Sequence, residues 1–219
     1  MPIQRFAVGP MGNNTYVVFD EASKEAAIVD PSKGSGPVLV WMKSRGLLPK
    51  YVLNTHGHSD HTFDNGLAMD GSDASLMIGE PDEAMLEELA KGDGWLGKPE
   101  MPSPMADAYL EHEQELVLGM TAIRVLHTPG HTPGSSCFVY ENVVMTGDTL
   151  FQHSIGRTDF PGGSMPEILT SIRTRLFDLP DETVVLPGHN DISTILNERR
   201  YNPFVGEGST IDLSQFQKG

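Results

Sequence analysis

A mixed α+β fold is what this sequence predicts, and three observations carry the expectation. The first third reads as short β-rich runs, "RFAVG", "NNTYVVFD" and "EAAIVD", each bounded by Gly, Asn, Asp or Pro in the pattern of an antiparallel meander. Stretches with apolar residues at helical spacing then interrupt the strands. Finally, several later strand-like runs end in a residue able to bind a metal.

After "PSKGSG", residues Pro37 to Arg45 have helical spacing and stop at Gly46, and "KYVLNT" returns to an extended apolar run leading into His56. A second helix is expected from Glu80 to Lys91: Pro81 suits the first turn, acids sit at the positive end, Lys91 lies at the negative end, and Gly92 follows. It reads as a packing helix. From Lys91 to Ala106 the composition shifts to Gly, Pro and Met, a long loop and a candidate lid. Strands follow in "TAIRVLHT", "SCFVY" and "NVVMTGD", the last two joined as a hairpin through Glu141 and Asn142. Ser164 and Glu167 form a capping box that opens a helix to about Asp178, and "ETVVLPGH" is a strand ending at His189. No repeat or linker marks a boundary, so residues 1–219 are expected to form one domain.

At 219 residues and 38% hydrophobic, the chain is long enough to bury a core without cross-links, and its single cysteine, Cys137, can form no intrachain disulfide. The first dozen residues lack a basic stretch followed by an apolar run, and no apolar segment approaches the roughly 18 residues needed to span a bilayer. A cytoplasmic protein with no membrane partner is expected. The net charge of −15 disfavours binding to nucleic acid or anionic lipid, which are held by clustered Lys and Arg.

The segment "THGHSDHT" packs three of the chain's eight histidines and an aspartate into the six positions 56–61. His56 and His58, two apart, share a side of extended backbone and suit one ion, while Asp60 and His61 come where the chain turns and can aim at a second. That spacing suits a loop rather than a helix, where a shared face needs a separation of four. Other strands end likewise: "IRVLHTPG" leads to His131, "NVVMTG" to Asp148 and "TVVLPG" to His189. Strands that aim side chains from their terminal loops build a rigid site. Three imidazoles, from His56, His58 and His131, would hold one divalent ion. Asp60, His61 and His189 would hold another, with Asp148 bridging. Each ion then keeps an open position, as catalytic sites require. His112, His127 and His153 are expected to be surface, supporting or core residues.

At these residues the chain resembles the metallo-β-lactamase fold superfamily, whose His-x-His-x-Asp-His motif is followed by a distant His, Asp and His. "TPGHTPGSS", "GDTLFQHSIGRTDFPGG" and "ERRYNPF" look like the glyoxalase II-like branch, which implies a four-layer αββα sandwich around a binuclear metal site. Full-length glyoxalase II enzymes carry a helical C-terminal domain that helps hold glutathione, and the thirty residues after His189 are too few for one. "GRTDF" also resembles the persulfide dioxygenases, which place one iron on residues matching His56, His131 and Asp148.

The expected activity is hydrolysis of a small-molecule thioester such as S-lactoylglutathione by metal-bound hydroxide, with Asp60 orienting the nucleophile and two divalent ions, zinc first, iron or manganese otherwise, as cofactors. A thiol with a pKa of about 8.5 leaves as thiolate without a strong acid, which suits a site rich in ligands and poor in proton donors. A mononuclear iron dioxygenase is the alternative activity. Arg157 is the candidate for a substrate carboxylate, or else a partner of Asp159.

Overall fold

The computed structural model describes residues 2–92 and 96–211. Strands β1 (Ile3–Val8), β2 (Asn13–Phe19) and β3 (Glu25–Val29) form the expected antiparallel meander. Helix α1 (Gly36–Ser44) crosses over to β4 (Leu48–Leu53), which pairs parallel with β3. Asp64 Oδ2 accepts the Gly34 and Ser35 N–H groups at 2.8 Å each, satisfying donors at the start of α1, and Gly46 turns the chain away with φ 65°. Short helices α2 (Ser59–Thr62) and α3 (Asn65–Met69) then lead to β5 (Ser75–Ile78). A 3₁₀ turn, Glu80–Asp82, opens α4 (Glu83–Lys91), which closes on left-handed Gly92, and β6 (Ala108–Tyr109) completes a six-stranded sheet in the order β1 to β6.

The second sheet is built from β7 (Glu115–Leu118), β8 (Thr121–His127), β9 (Ser136–Tyr140) and β10 (Val143–Gly147), all antiparallel neighbours. A two-stranded ribbon, β11 (Leu150–Phe151) and β12 (Ser154–Ile155), precedes helix α5 (Met165–Ser171), which runs into a π-helical turn, Ile172–Leu176. Strand β13 (Val184–Pro187) pairs parallel with β10, β14 (Ser193–Thr194) lies beyond it, and α6 (Ile195–Tyr201) follows. Ser164 caps α5 by accepting from Glu167 N–H, but its own N–H donates to Gly130 O at 2.8 Å, so only half of the expected box forms.

Period-2 alternation sorts the strands' side chains into three buried groups. Tyr16, Val18, Ala27 and Leu53 face Ile123, Phe138, Tyr140 and Met145 between the sheets. Val17, Phe19, Ala26 and Ile28 turn outward onto Val38, Met42, Ala68 and Leu86 of α1, α3 and α4. Leu126, Val139, Val144 and Val185 meet Ile168, Leu169, Ile172 and Ile195 on the opposite face. The layers are therefore α, β, β and α, the expected sandwich. Among the described residues, no helix is long and apolar enough to cross a membrane.

Two expectations change. The segment from Ser59 to Thr62 is helical and the chain bends at Thr55 and His56, so the motif is not one extended run; His58 (φ −61°, ψ 142°) is extended and stands at the start of the helical turn. The 91–106 loop, read as a candidate lid, is anchored at its C-terminal part: Ser103 is buried and accepts from Asn65 Nδ2 at 3.0 Å, while a Cβ on Gly66 would lie 2.3 Å from Met101 O. Backbone contact that close pins residues 101–103 to α3; residues 93–95 of that loop lie outside the described residues.

Candidate metal centre

Strands β3, β4, β10 and β13 deliver their C-terminal ends to one edge of the sandwich, and the loop after β8 joins them. Backbone bonds lock these ends together across the two sheets: Asn14 N–H to Gly188 O and Gly188 N–H to Gly147 O at 2.7 Å, and Ser136 N–H to Thr55 O at 2.7 Å. All seven sequence-selected ligand candidates meet there. Potential ligand atoms of His56, His58 and His131 lie within 4.8 Å of one another, as do those of Asp60, His61 and His189, and those of His56, His61 and Asp148. His58 Nδ1 is 2.9 Å from His131 Nε2, and His61 Nε2 is 3.2 Å from His189 Nε2. Asp148 reaches both sides, with Oδ1 3.4 Å from His61 Nε2 and Oδ2 3.7 Å from both His131 Nε2 and His189 Nε2.

The residues fit divalent ions on three counts. His56 Nε2 and Asp148 Oδ1 are buried without a hydrogen bond, an expensive state unless something else takes their lone pairs. Neighbouring acceptors set the imidazole tautomers: His61 Nδ1 lies 2.9 Å from Asp30 Oδ2 and His131 Nδ1 lies 2.8 Å from Arg157 O. Both partners only accept, so each ring's proton is on Nδ1 and Nε2 faces the cluster. Room is also reserved for close approach. A Cβ on Gly188 would sit 2.4 Å from Asp148 Oδ1 and 2.7 Å from His61 Cε1, which explains the Gly before this histidine.

The electrostatics have two halves. Burial, helped by neighbouring imidazoles, pushes His56 well below the ordinary histidine range and His58 down to about 4. Burial acts the same way on His61, but the carboxylates of Asp148, Asp60 and Asp30 outweigh it and hold this ring well above that range. His189 is also raised, because its bond to Asp60 and the field of Asp148 overcome burial. Burial would raise Asp60 and Asp148, yet His61 leads the imidazoles that lower both. Carboxylates that draw protons onto His61 and His189 attract a metal cation for the same reason.

Sequence reasoning missed several participants. Asp30 is buried and accepts from Thr55 N–H and Thr55 Oγ1, both at 2.7 Å, as well as facing His61. Its signal was available: "AAIVD" is another apolar strand ending in an acid. Asn13 Nδ2 donates to Asp60 Oδ2 at 3.0 Å. Helix α4, read as packing only, contributes Met85, Glu88 and Leu89 to a cavity of about 740 Å³ over the cluster, opposite Phe160 and Pro161. Arg157 lines this cavity, but both arms of its fork are bonded to Asp159 at 2.7 Å, and it stacks 3.8 Å over Phe160. The pairing with Asp159 is therefore the arrangement seen. His153 bonds Asn197 and His127 faces Pro133 O, and neither belongs to the three groups of converging ligand atoms.

Two stacked sheets between helices, with His and Asp side chains converging at the strand ends, define a metallo-hydrolase architecture. The profile of the metallo-beta-lactamase superfamily matches residues 8–189, and the chain belongs to that family. An uncharacterised protein of Mycobacterium leprae is 39% identical over 219 residues, covering 94% of this chain and 99% of that one. The hydroxyacylglutathione hydrolase GloC of Haemophilus influenzae is 34% identical over 222 residues, covering 95% and 100%. Among solved structures, the BLEG-1 B3 metallo-beta-lactamase superposes with a TM-score of 0.85 at 35% identity, covering 93% of this chain and 99% of that one. The di-iron-bound form of TTHA1623 superposes with a TM-score of 0.80 at 32% identity, covering 92% and 99%.

Proposed function

We propose that the protein is a binuclear metal-dependent hydrolase of thioesters such as S-lactoylglutathione. The observation that carries this reading is the pair of ligand triads, His56, His58 and His131 beside Asp60, His61 and His189, with Asp148 reaching both. The similarity to a hydroxyacylglutathione hydrolase supports the thioester.

The two triads and Asp148 would hold two divalent ions, which when bound would lower the pKa of a water toward neutrality and provide a Lewis acid for the carbonyl; zinc is the first candidate, and the di-iron relative keeps iron beside it. Asp60, fixed by Asn13, keeps a carboxylate in the cleft to orient the attacking water. Met85, Leu89 and Phe160 give the acyl group an apolar wall that excludes bulk water. Outside the seven-residue cluster, Glu88 and Arg157 are the only titratable side chains among the described residues lining this cavity, a wall with few groups that could serve a leaving group. That suits a thiol of pKa about 8.5, which departs as thiolate, better than an amine. The Arg157–Asp159 pair is exposed and screened by water, so a substrate carboxylate can exchange with Asp159 at small cost.

Hydrolysis of S-lactoylglutathione by zinc- or iron-loaded protein, abolished by His189→Ala, is the expected result. The second reading, a mononuclear iron dioxygenase acting on persulfides, follows from "GRTDF" and from His56, His131 and Asp148. It predicts oxygen uptake that largely survives His189→Ala. Absence of thioester turnover with either metal, together with such uptake, would replace the first reading by the second.

A further inference from the structure

We infer that Asp82 is a positioning residue that fixes the distance between the two loops carrying the ligands of one ion, His56, His58 and His131. The inference rests on the two-ion reading of the site. Asp82 is fully buried at the start of α4, the place where an aspartate ordinarily caps a helix. It makes no such cap. Its acceptors are spent instead on the ligand loops: Oδ2 accepts Gly57 N–H at 2.9 Å and Thr132 Oγ1 at 2.6 Å, and Oδ1 accepts Gly134 N–H at 2.7 Å.

These partners are neighbours of the ligands in sequence. Gly57 lies between His56 and His58 on the loop after β4, in the first sheet, and Thr132 follows His131 on the loop after β8, in the second. One carboxylate thus ties together the two loops whose ligands, His58 Nδ1 and His131 Nε2, stand 2.9 Å apart. Three glycines make the clamp sterically possible. A Cβ on Gly57 would lie 2.8 Å from Asp82 O, one on Gly134 would lie 2.6 Å from Asp82 Cγ, and one on Gly79 would lie 2.2 Å from Gly134 O. The other ion's ligands rest on different supports, Asp30 behind His61 and Asn13 behind Asp60. Damage to the clamp should therefore weaken one ion and spare the other.

The test isolates each half of the site and reads metal affinity, not turnover. In a His189→Ala background the remaining complete triad is His56, His58 and His131; in a His58→Ala background it is Asp60, His61 and His189. Zinc affinity is measured by calorimetry and the ligand field by the visible absorption of bound Co(II). Thr132→Val, which deletes the hydroxyl donated to Asp82, should lower zinc affinity about 10–100-fold in the first background, as loss of a ligand-orienting partner does. It should change affinity by under about two-fold in the second, whose ligands rest on Asp30 and Asn13 instead of Asp82. It should also shift the Co(II) spectrum in the first background only, and Thr132→Ser, which keeps the hydroxyl, should restore both readouts. Asp82→Asn should follow Thr132→Val; if it does not fold, the Thr132 pair decides alone. Equal losses in both backgrounds, or no loss in either, would overturn the assignment. Wild-type protein that binds one ion rather than two would refute the two-ion reading separately, because the ratio in the His189→Ala background is read independently.

Discussion

Replacing Asp30 by Asn exchanges one carboxylate oxygen for an NH2 group and tests whether the metal centre depends on a residue that touches no ion in the proposed ligand set. The carboxylate receives three donors, Thr55 N–H and Thr55 Oγ1 at 2.7 Å and His61 Nδ1 at 2.9 Å, all buried. An amide has one accepting oxygen and turns two N–H donors toward this ring of donors. If that oxygen stays with His61 and the Thr55 hydroxyl, the amide nitrogen meets the Thr55 N–H, which is left unpaired. A buried donor without a partner costs about 1–3 kcal/mol. If the oxygen stays with Thr55 N–H, the His61 ring loses its acceptor, and metal affinity falls about 10–100-fold, as it does when such ring-orienting partners are removed. Either orientation is measurable. Urea unfolding of metal-free Asp30→Asn should show the stability loss, and chelator competition should show the weaker zinc binding. A variant with stability within about 0.5 kcal/mol of wild type, the range of an ordinary surface substitution, and unchanged zinc affinity would refute the role given to Asp30.

Three further outcomes follow from the same structure. Hydrolysis should decline as pH falls below about 6.5, because imidazoles must be neutral to hold metal. His61 and His189, whose pKa values are raised, take protons first, so the ion on Asp60, His61 and His189 should leave before the one held by His56 and His58, whose values are lowered; a flat activity profile down to about pH 4.5 would contradict this. Gly66→Ala places a Cβ 2.3 Å from Met101 O and should cost about 1–3 kcal/mol by overpacking, seen as a lower thermal midpoint; an unchanged midpoint would mean that the 101–103 segment is not pinned. Cys137 is buried and its thiol is pushed up to about 11 by burial, so a disulfide thiol reagent should label it only as the protein unfolds. Labelling of the native protein within minutes would refute that burial.

The motif that identifies the site was legible because its chemistry is local. A strand with a strong β pattern announces where it ends, and a ligand-type residue at that end is visible without knowing what it will face. This held for His56, His131, Asp148 and His189, and the same reasoning would have found Asp30. Helix α4 was legible as a helix from Pro81, Lys91 and Gly92, all near-neighbour effects. Short elements were not. α2, α3, β5 to β7 and α6 run two to seven residues, too short for a period to develop, and "SLMI" in β5 shows three buried residues in a row because both faces are covered.

By itself, then, the sequence determined the strand and helix alternation, the acidic surface charge and the set of seven ligand-type side chains, each a property of residues near one another along the chain. Only the tertiary structure decided what those residues meet. It placed Asp30 behind His61, turned Met85 and Leu89 of an apparently ordinary helix toward the cavity, joined Arg157 to Asp159, and set Asp82 across two loops whose chain positions, Gly57 and Thr132, lie far apart. The physical reason is range. Propensities and caps act over a few residues, whereas ligand tautomers, pKa shifts and cavity walls arise from buried groups a few ångströms apart in space and tens of residues apart in sequence.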